Sequence, residues 1–392
     1  MNFFVIFLVL LLCSCTPERS NGEVPKPPFG WRSAGLMPNL DSLNKWGTGF
    51  MAIAHSKDYI FVRDSRVANL QTLAPTAYRI FMSRQGSEKW EEMEIPSELR
   101  PFKMYGDSSG LYVGSYGNGQ LWHYEPDSKE WTNLIAMQLE EKQKFSVYGI
   151  TKFNGRLLIS MAGYNDIVAK SFILHRQADG TWKDIAPPDS LVDIYVLGYK
   201  TALHFTDAAE WRGKLFIVSD ECGLWVYDNV SWQQLPKYEE KDGPFVMEVH
   251  KDRIYVGRYA YGGVQEMQDN YTRVQVDSNS ATNGNYNVNT PFYVKTLIST
   301  GEHLIVAGGY PGVPKVYMGD HGEPKGWRYL DGDSWCPPLR FRCIALTTYG
   351  LDIAGDTLYA AAWEGVFKFP LSDLDSMIAL ENNSYFIVGG FE

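Results

Sequence analysis

Aromatic and charged side chains recur just after short apolar runs along this 392-residue chain. Aromatic faces combined with hydrogen-bonding groups suit sugar rings and extended peptides, because both kinds of ligand present an apolar face and polar edges. If the apolar runs lie side by side in register, these side chains converge on one binding rim. The predicted ligand-binding residues are Arg63, Asp64, Tyr116, Tyr164, Asp166, Asp220, Arg258, Tyr259, Tyr310, Trp363 and Glu364.

Catalysis receives less support from the same residues. Carboxylate pairs for glycoside hydrolysis can be drawn from the acids of this rim, but no spacing singles out two of them. Three hypotheses therefore stay open. The first is a non-catalytic protein that binds a carbohydrate or a protein partner, the second is a carbohydrate-active hydrolase or lyase, and the third is a scaffold in a surface complex.

Metals, cofactors and nucleic acids are not indicated. The seven histidines are scattered, without the His/Cys spacing of a zinc site. The sequence has neither a phosphate-binding Gly-Lys loop nor a Gly-x-Ser-x-Gly nucleophile elbow. The formal net charge of −10 disfavours a nucleic-acid partner, because phosphate binding requires a basic surface.

The elements that must position the rim are repeated β-strands. An apolar run of strand type recurs roughly every 50 residues, and each copy follows a hairpin-type turn such as Asn154-Gly155. The seven copies are Tyr59-Ile60-Phe61-Val62, Leu111-Tyr112-Val113-Gly114, Leu157-Leu158-Ile159-Ser160, Leu215-Phe216-Ile217-Val218, Ile254-Tyr255-Val256-Gly257, Leu304-Ile305-Val306-Ala307 and Leu358-Tyr359-Ala360-Ala361.

A second marker opens the fourth strand in six of the seven repeats. It is a large aromatic residue, which suits wedge packing between neighbouring sheets. The markers are Trp90, Trp131, Trp182, Trp232 and Trp327, with Tyr271 in the fifth repeat. Four strands per repeat and no amphipathic helical stretch predict an all-β, seven-bladed β-propeller with four antiparallel strands per blade.

The third-strand motif carries a family resemblance. Leu121-Trp122-His123-Tyr124 and Leu224-Trp225-Val226-Tyr227 follow glycine-containing turns, and in this form the chain resembles the kelch-like and regulator-type propellers. The resemblance implies the fold over roughly residues 31–375 and no particular function.

The chain ends predict how the ring closes. The last repeat lacks a Trp-led fourth strand, whereas Gly30-Trp31-Arg32-Ser33 near the start echoes Gly326-Trp327-Arg328-Tyr329. Residues 31–36 are therefore expected to complete the last blade and close the ring, which removes exposed strand edges. The strand-like tail 384–391 competes for the same place.

Three longer insertions interrupt the repeats, at residues 67–76, 187–206 and 277–290. The last is rich in asparagine and contains no core-forming residues. A loop of this length is either functional or slack, and the sequence does not separate the two.

The N-terminus indicates export. Residues 3–12 are an uninterrupted apolar run, too short to span a bilayer comfortably but suitable for a signal peptide. The following Leu12-Cys13-Ser14-Cys15 resembles the bacterial lipobox, which implies cleavage before Cys15 and lipidation of that residue. An ordinary cleaved signal is the alternative.

The domain organisation follows from these segments. Residues 1–15 form the signal peptide, the proline-rich residues 16–29 form a tether, and residues 30–392 form one propeller domain. The expected location is the cell envelope, on the periplasmic or surface side, with membrane contact through the lipid alone. In that oxidising setting Cys336 and Cys343 could form a disulfide, which leaves Cys222 single.

Overall fold

The fold is seen in a computed structural model of the chain. It describes residues 32–35, 48–69, 74–135, 144–164, 169–187, 194–196, 199–201, 203–219, 222–236, 244–258, 263–275, 294–308, 315–317, 327–329, 348–362 and 365–374. Short strands dominate, as the alternating sequence pattern requires.

Strand β1 is Arg32–Ser33, and three four-stranded sheets follow it in sequence. Sheet 1 consists of β2 (Thr48–Ser56), β3 (Tyr59–Asn69), β4 (Ala74–Arg84) and β5 (Trp90–Glu92). Sheet 2 consists of β6 (Pro101–Asp107), β7 (Gly110–Ser115), β8 (Leu121–Glu125) and β9 (Glu130–Ile135). Sheet 3 consists of β10 (Lys144–Phe153), β11 (Arg156–Tyr164), β12 (Ala169–Arg176) and β13 (Trp182–Asp184).

A small hairpin of β14 (Ile194–Val196) and β15 (Tyr199–Thr201) precedes three further sheets of four strands. Sheet 4 consists of β16 (Asp207–Trp211), β17 (Lys214–Ser219), β18 (Gly223–Tyr227) and β19 (Trp232–Gln234). Sheet 5 consists of β20 (Pro244–His250), β21 (Arg253–Arg258), β22 (Val264–Met267) and β23 (Arg273–Gln275). Sheet 6 consists of β24 (Val294–Ser299), β25 (Leu304–Gly308), β26 (Lys315–Tyr317) and β27 (Trp327–Tyr329).

The last four-stranded sheet, here called the closing sheet, joins the two ends of the chain. Its strands β28 (Thr348–Ala354), β29 (Thr357–Ala362) and β30 (Gly365–Pro370) are followed by a 3₁₀ turn at Leu371–Asp373. Strand β1 supplies its fourth strand, so the order is β28-β29-β30-β1. In the part of the chain that the structure describes, this makes seven four-stranded sheets, six of them built from strands consecutive in sequence.

The sheets are arranged around an axis. The innermost strands, β2, β6, β10, β16, β20, β24 and β28, contact one another in a closed cycle in that order, and β28 contacts β2. They line a central channel. The prediction of an all-β propeller with four-stranded antiparallel blades is confirmed.

Ring closure by the N-terminal strand is also seen. Arg32 pairs with Lys368 and Ser33 with Phe367. The backbone N–H of Ala34 then donates to Val366 O at 2.9 Å, extending the pairing beyond β1. Residues 31 and 36, and the competing tail 384–391, lie outside the described residues.

The core lies between neighbouring sheets, where the second strands are almost entirely buried; every residue of β7 is buried. The aromatic markers stand where the sequence predicts: Trp90, Trp182 and Trp232 begin the fourth strands of their sheets. Trp232 stacks on Tyr227 of its own sheet with ring centroids 4.9 Å apart. Its Nε1 donates to Ile185 O beside sheet 3, so Trp232 packs between neighbouring sheets as expected.

Hairpin turns between the first and second strands gather at one end of the channel. Asn154 and Gly155 have φ of 49° and 70°, and Arg212 and Gly213 have φ of 50° and 71°. Positive φ at both central residues identifies type I′ turns, as Asn-Gly predicts. This end is called the turn face, and the opposite end, where second strands finish, is called the mouth face.

The predicted insertions have different outcomes. Much of 67–76 belongs to β3 and β4, which extend one long hairpin. The segment 187–206 contains the hairpin β14–β15. The segment 277–290 lies outside the described residues, as do the N-terminal segments 1–15 and 16–29. Within the described residues no helix is long and apolar enough to cross a membrane.

Candidate functional site at the channel mouth

The innermost strands share a β-bulge near the mouth face. In six of them the register shifts by one residue, and the extra residues are Met51, Phe102, Tyr148, Phe245, Lys295 and Tyr349. A bulge bends the strand and re-aims a side chain. The repeated bulge therefore places one residue of each of these strands at a common level of the channel.

Four rings from sheets 2 to 4 form a continuous group at this level, here called the aromatic ledge: Phe102, Tyr116, Tyr148 and His204. The ring centroids of Phe102 and Tyr116 are 5.4 Å apart, and those of Phe102 and Tyr148 are 5.5 Å apart with nearly perpendicular planes. Tyr148 contacts His204 with centroids 4.3 Å apart. Tyr116 is the outermost member, with 45% of its surface exposed.

The loop that carries Tyr116 is fixed by hydrogen bonds from both sides. The backbone N–H of Tyr116 donates to Arg100 O at 2.9 Å. The next residue, Gly117, donates to Ser146 Oγ of sheet 3 at 3.1 Å. Since a binding residue held in place loses little conformational freedom when a ligand arrives, the ledge is preorganised for binding.

Lys103 and Asp207 form a polar layer directly beneath the ledge. Together with Glu248 they are here called the channel floor. Lys103 of sheet 2 reaches past sheet 3, and its Nζ donates to Thr206 O of sheet 4 at 2.9 Å. The position in sheet 3 equivalent to Lys103 is Gly149, against which the Phe205 ring packs.

The carboxyl groups of the floor resist ionisation. Asp207 accepts backbone N–H groups from Ala208 at 3.0 Å and Met247 at 3.1 Å. Burial raises the pKa of Asp207, while the charge of Lys103 opposes that rise. Burial, and secondly the charge of Asp207, raise the pKa of Glu248 to about 8. Glu248 is therefore largely protonated at neutral pH.

A second lysine lies on the other side of the channel. Lys295, the bulged residue of sheet 6, places its Nζ 5.2 Å from the ring centroid of Phe245. Burial lowers the pKa of Lys295 to about 8. The mouth thus combines aromatic faces with groups that titrate close to neutral pH.

Among the predicted site residues, Tyr116 lies at the ledge and Arg63 lies below it. The Arg63 guanidinium donates to Pro101 O at 3.1 Å and sits 5.9 Å from the Phe102 ring centroid. Asp64 is buried in an ion pair with Arg79, whose Nε donates to Asp64 Oδ2 at 3.1 Å. Asp64 therefore joins β3 to β4.

The remaining predicted residues are less informative. Arg258 ends β21 and is buried, and Tyr164 ends β11. Cys222 lies directly before β18 and is buried. The others lie outside the described residues: Asp166, Asp220, Tyr259, Tyr310, Trp363, Glu364, Cys15, Cys336 and Cys343. Their roles stay predictions.

Sequence reasoning missed the bulged residues and the channel floor. It searched the end of each second strand, whereas Phe102, Tyr148 and Lys103 belong to the innermost strands. A usable signal was present: Phe102, Tyr148 and Phe245 each stand a few residues before a hairpin turn. Aligning the repeats on those turns would have brought them into one column.

In the described part of the chain, neither a second surface cleft nor a metal-binding group adds a candidate site. A surface cleft of about 400 Å³ on the turn face is lined by Asp58, Arg84, Gln85, Gly86, Asp356 and Thr357, far from the ledge. Among the described residues, no group of three or more His, Cys, Asp and Glu side chains is placed to hold a metal ion.

Comparison with known proteins shows the fold. No protein-family model and no curated protein sequence matches the chain. Among solved structures, a catalytically inactive virginiamycin B lyase from Staphylococcus aureus with quinupristin aligns over 87% of this chain and 98% of that one, at 11% identity and a TM-score of 0.53.

Two further structures give the same picture. A streptogramin B lyase aligns over 86% of this chain and 96% of its own, at 10% identity and a TM-score of 0.53. YCF48 bound to D1 peptide aligns over 90% and 97%, at 11% identity and a TM-score of 0.53. What they share with this chain is the β-propeller fold, and at such identities the similarity extends no further.

Proposed function

We propose that this chain is an exported, lipid-anchored, seven-bladed β-propeller that binds a peptide segment of a protein partner at its channel mouth without catalysing a reaction. The observation that carries the proposal is the aromatic ledge. It presents an exposed ring, Tyr116, backed by packed rings and held by hydrogen bonds from two sheets. Rigid aromatic anchors of this kind are typical of binding hot spots.

The shape of the ledge favours a peptide over a sugar. The planes of Phe102 and Tyr148 are inclined by 88°, and those of Phe102 and Tyr116 by 54°. Such rings form the walls of a groove that accepts side chains, whereas a pyranose stacks on one flat face. The similar structure of YCF48, which is bound to a peptide, is consistent with a peptide ligand.

Arrays of peptides and of glycans, probed with the mature protein, test this proposal. We expect binding to peptides that weakens about tenfold or more in Tyr116→Ala and Phe102→Ala, because each change removes a hot-spot ring. Tyr271→Ala, which removes a ring on the turn face, is the matched control and should bind like the wild type. Glycan binding that depends on Tyr116 would show that the ligand is a carbohydrate and not a peptide. Binding that neither ledge variant weakens would refute the ledge as the site.

The anchor is a proposal from the N-terminal sequence. Strand β1 runs antiparallel to β30, from the turn face toward the mouth face. The tether would therefore join the ring at the turn face, and the mouth would face away from the membrane. Metabolic labelling with a fatty acid in a bacterial host tests this: the label should be lost in Cys15→Ser and kept in Cys13→Ser.

A carbohydrate-active hydrolase or lyase is the second candidate function. The observation that favours it is the channel floor, where Glu248 has a pKa of about 8 next to Asp207, as suits proton transfer near neutral pH. Release of new sugar ends from a polysaccharide panel, abolished in Glu248→Gln, would support this candidate. No release by the wild type would leave the binding proposal as it stands.

A further inference from the structure

Glu248 is a carboxyl group for which the described residues supply no cation. It lies on the innermost strand β20 and keeps partial exposure. Its Oε1 accepts the backbone N–H of Val249 at 3.1 Å, and no lysine, arginine or histidine of the described residues forms an ion pair with it. Burying a carboxylate without a cation is costly, and the group responds by staying protonated.

We infer that the ligand of the channel mouth carries a cationic group, a lysine or arginine side chain of the bound peptide, which passes the aromatic ledge and is held by Asp207 and Glu248. The inference rests on the proposed function, since it names the chemistry of the ligand of that same site.

The protein's own Lys103 shows that this layer accepts an ammonium group. Its Nζ donates to Thr206 O at 2.9 Å, and its charge acts on the Asp207 carboxylate. Glu248 lies two residues further along β20 than Val246, which shares the level of Asp207. That spacing places Glu248 about 7 Å deeper in the channel, beyond the reach of Lys103 and within reach of a ligand's long side chain.

The route to Glu248 suits a cation. At the register level of Asp207 the innermost strands β2, β10 and β28 carry small residues, Ala52, Gly149 and Gly350. Above that level stand the faces of Phe102 and Tyr148, and aromatic faces attract lysine and arginine side chains. The overall charge of −10 also favours approach of a basic partner.

Binding of a cation next to Glu248 is coupled to the release of a proton from its carboxyl group. The titratable groups on the strands packed against β20 are Asp207 and Glu210 on β16, Lys214 on β17, Arg253, Tyr255 and Arg258 on β21, and Lys295 on β24. Of these, Asp207 is the one that acts on Glu248, and it favours the protonated form. A bound cation favours the ionised form, so below about pH 8 it displaces one proton.

The test is a selection of random peptides of about 12 residues on the mature protein. Peptides that depend on the ledge are identified by their loss of binding to Tyr116→Ala. We expect these peptides to be enriched in lysine and arginine, and their affinity to fall about tenfold or more in Glu248→Gln. Glu130→Gln, which changes an exposed acid on the outer strand of sheet 2, is the matched control and should bind as the wild type does.

A pH series on one selected peptide separates a direct role from a structural one. Affinity should rise by up to about tenfold per pH unit between about pH 6 and about pH 8, because the wild type releases one proton from Glu248 per peptide bound. The Glu248→Gln profile should be clearly shallower over this range. Circular dichroism should show the same folded state for both proteins.

The two proposals fail differently. Ledge-dependent peptides without basic residues, or with unchanged affinity for Glu248→Gln, would overturn the cationic ligand and leave the peptide-binding function intact. If no selected peptide depends on Tyr116, the proposed function fails and the cationic ligand fails with it.

Discussion

At the scale of single residues, His55 and Asp352 connect sheet 1 to the closing sheet. Their side chains meet at 2.9 Å through Nδ1 and Oδ1. The hydrogen bond to the Asp352 carboxylate raises the pKa of His55 above its usual 6.5, against the opposing effect of burial. The protonated imidazole is thus more stable in the folded ring than in the unfolded chain.

This linkage gives a pH-dependent contribution to stability. Because the folded pKa is raised, the contribution is fully present below about pH 6.5 and is lost as pH rises through the folded pKa. The imidazole is 40% exposed, so solvent screening limits the effect to about 0.5 kcal/mol. Urea unfolding of the wild type and His55→Gln should show this difference near pH 5.5 and none near pH 8.5. An equal difference at both pH values would contradict the assignment.

Residue types also explain why only part of the site was predictable. Tyr116 was found because it follows a strand end, and the structure places it on the ledge. Asp64 was chosen by the same rule but is buried in an ion pair with Arg79. The position of a residue after a strand indicates the end of the channel at which it lies. Whether its side chain meets a partner from the next strand is decided by the tertiary structure.

At the scale of strands, glycines set how closely the innermost strands approach one another. A Cβ on Gly149 of β10 would fall well inside the van der Waals radius of the Phe205 ring, which precedes sheet 4. At the equivalent place in β28, a Cβ on Gly350 would lie 3.2 Å from Ile53 Cγ2. The contact between Gly149 and Phe205 leaves no room for an added methyl group. The contact between Gly350 and Ile53 can adjust by a small shift.

These two glycines form a matched pair for mutation. We expect Gly149→Ala to lower the free energy of unfolding by about 1–3 kcal/mol, since overpacking forces the ring or the strand to move. Gly350→Ala should cost less than about 1 kcal/mol. Chemical denaturation measures both, and equal costs would show that the sheets are not packed at the spacing described here.

At the scale of the whole molecule, the ring is closed by a very short strand. Two residues of β1 pair with β30, and Trp90 Nε1 of sheet 1 donates to Ala34 O at 2.8 Å. Ala34 itself is buried, with 1% of its surface exposed. The chain's beginning thus fastens the closing sheet to sheet 1 and covers the edge of β30.

Deletion of either end tests this closure. Removal of residues 16–35 should lower the free energy of unfolding by about 3–5 kcal/mol, because it leaves the Trp90 N–H and the Val366 carbonyl without partners and exposes a strand edge. Removal of residues 375–392 should cost much less. Denaturation and size-exclusion chromatography measure both effects. A larger loss from the C-terminal deletion would instead assign the closing role to the tail.

The sequence by itself determined the repeat, because strand alternation, hairpin turns and a marker tryptophan are local properties of the chain. It also predicted that the start of the chain completes the last sheet, since Trp31 echoes Trp327. The tertiary structure decided which side chains meet in the channel. Phe102, Lys103, Asp207 and Glu248 come from three different sheets. A strand pattern specifies neither the bulge at Phe102 nor the contact that Lys103 makes with the segment before sheet 4.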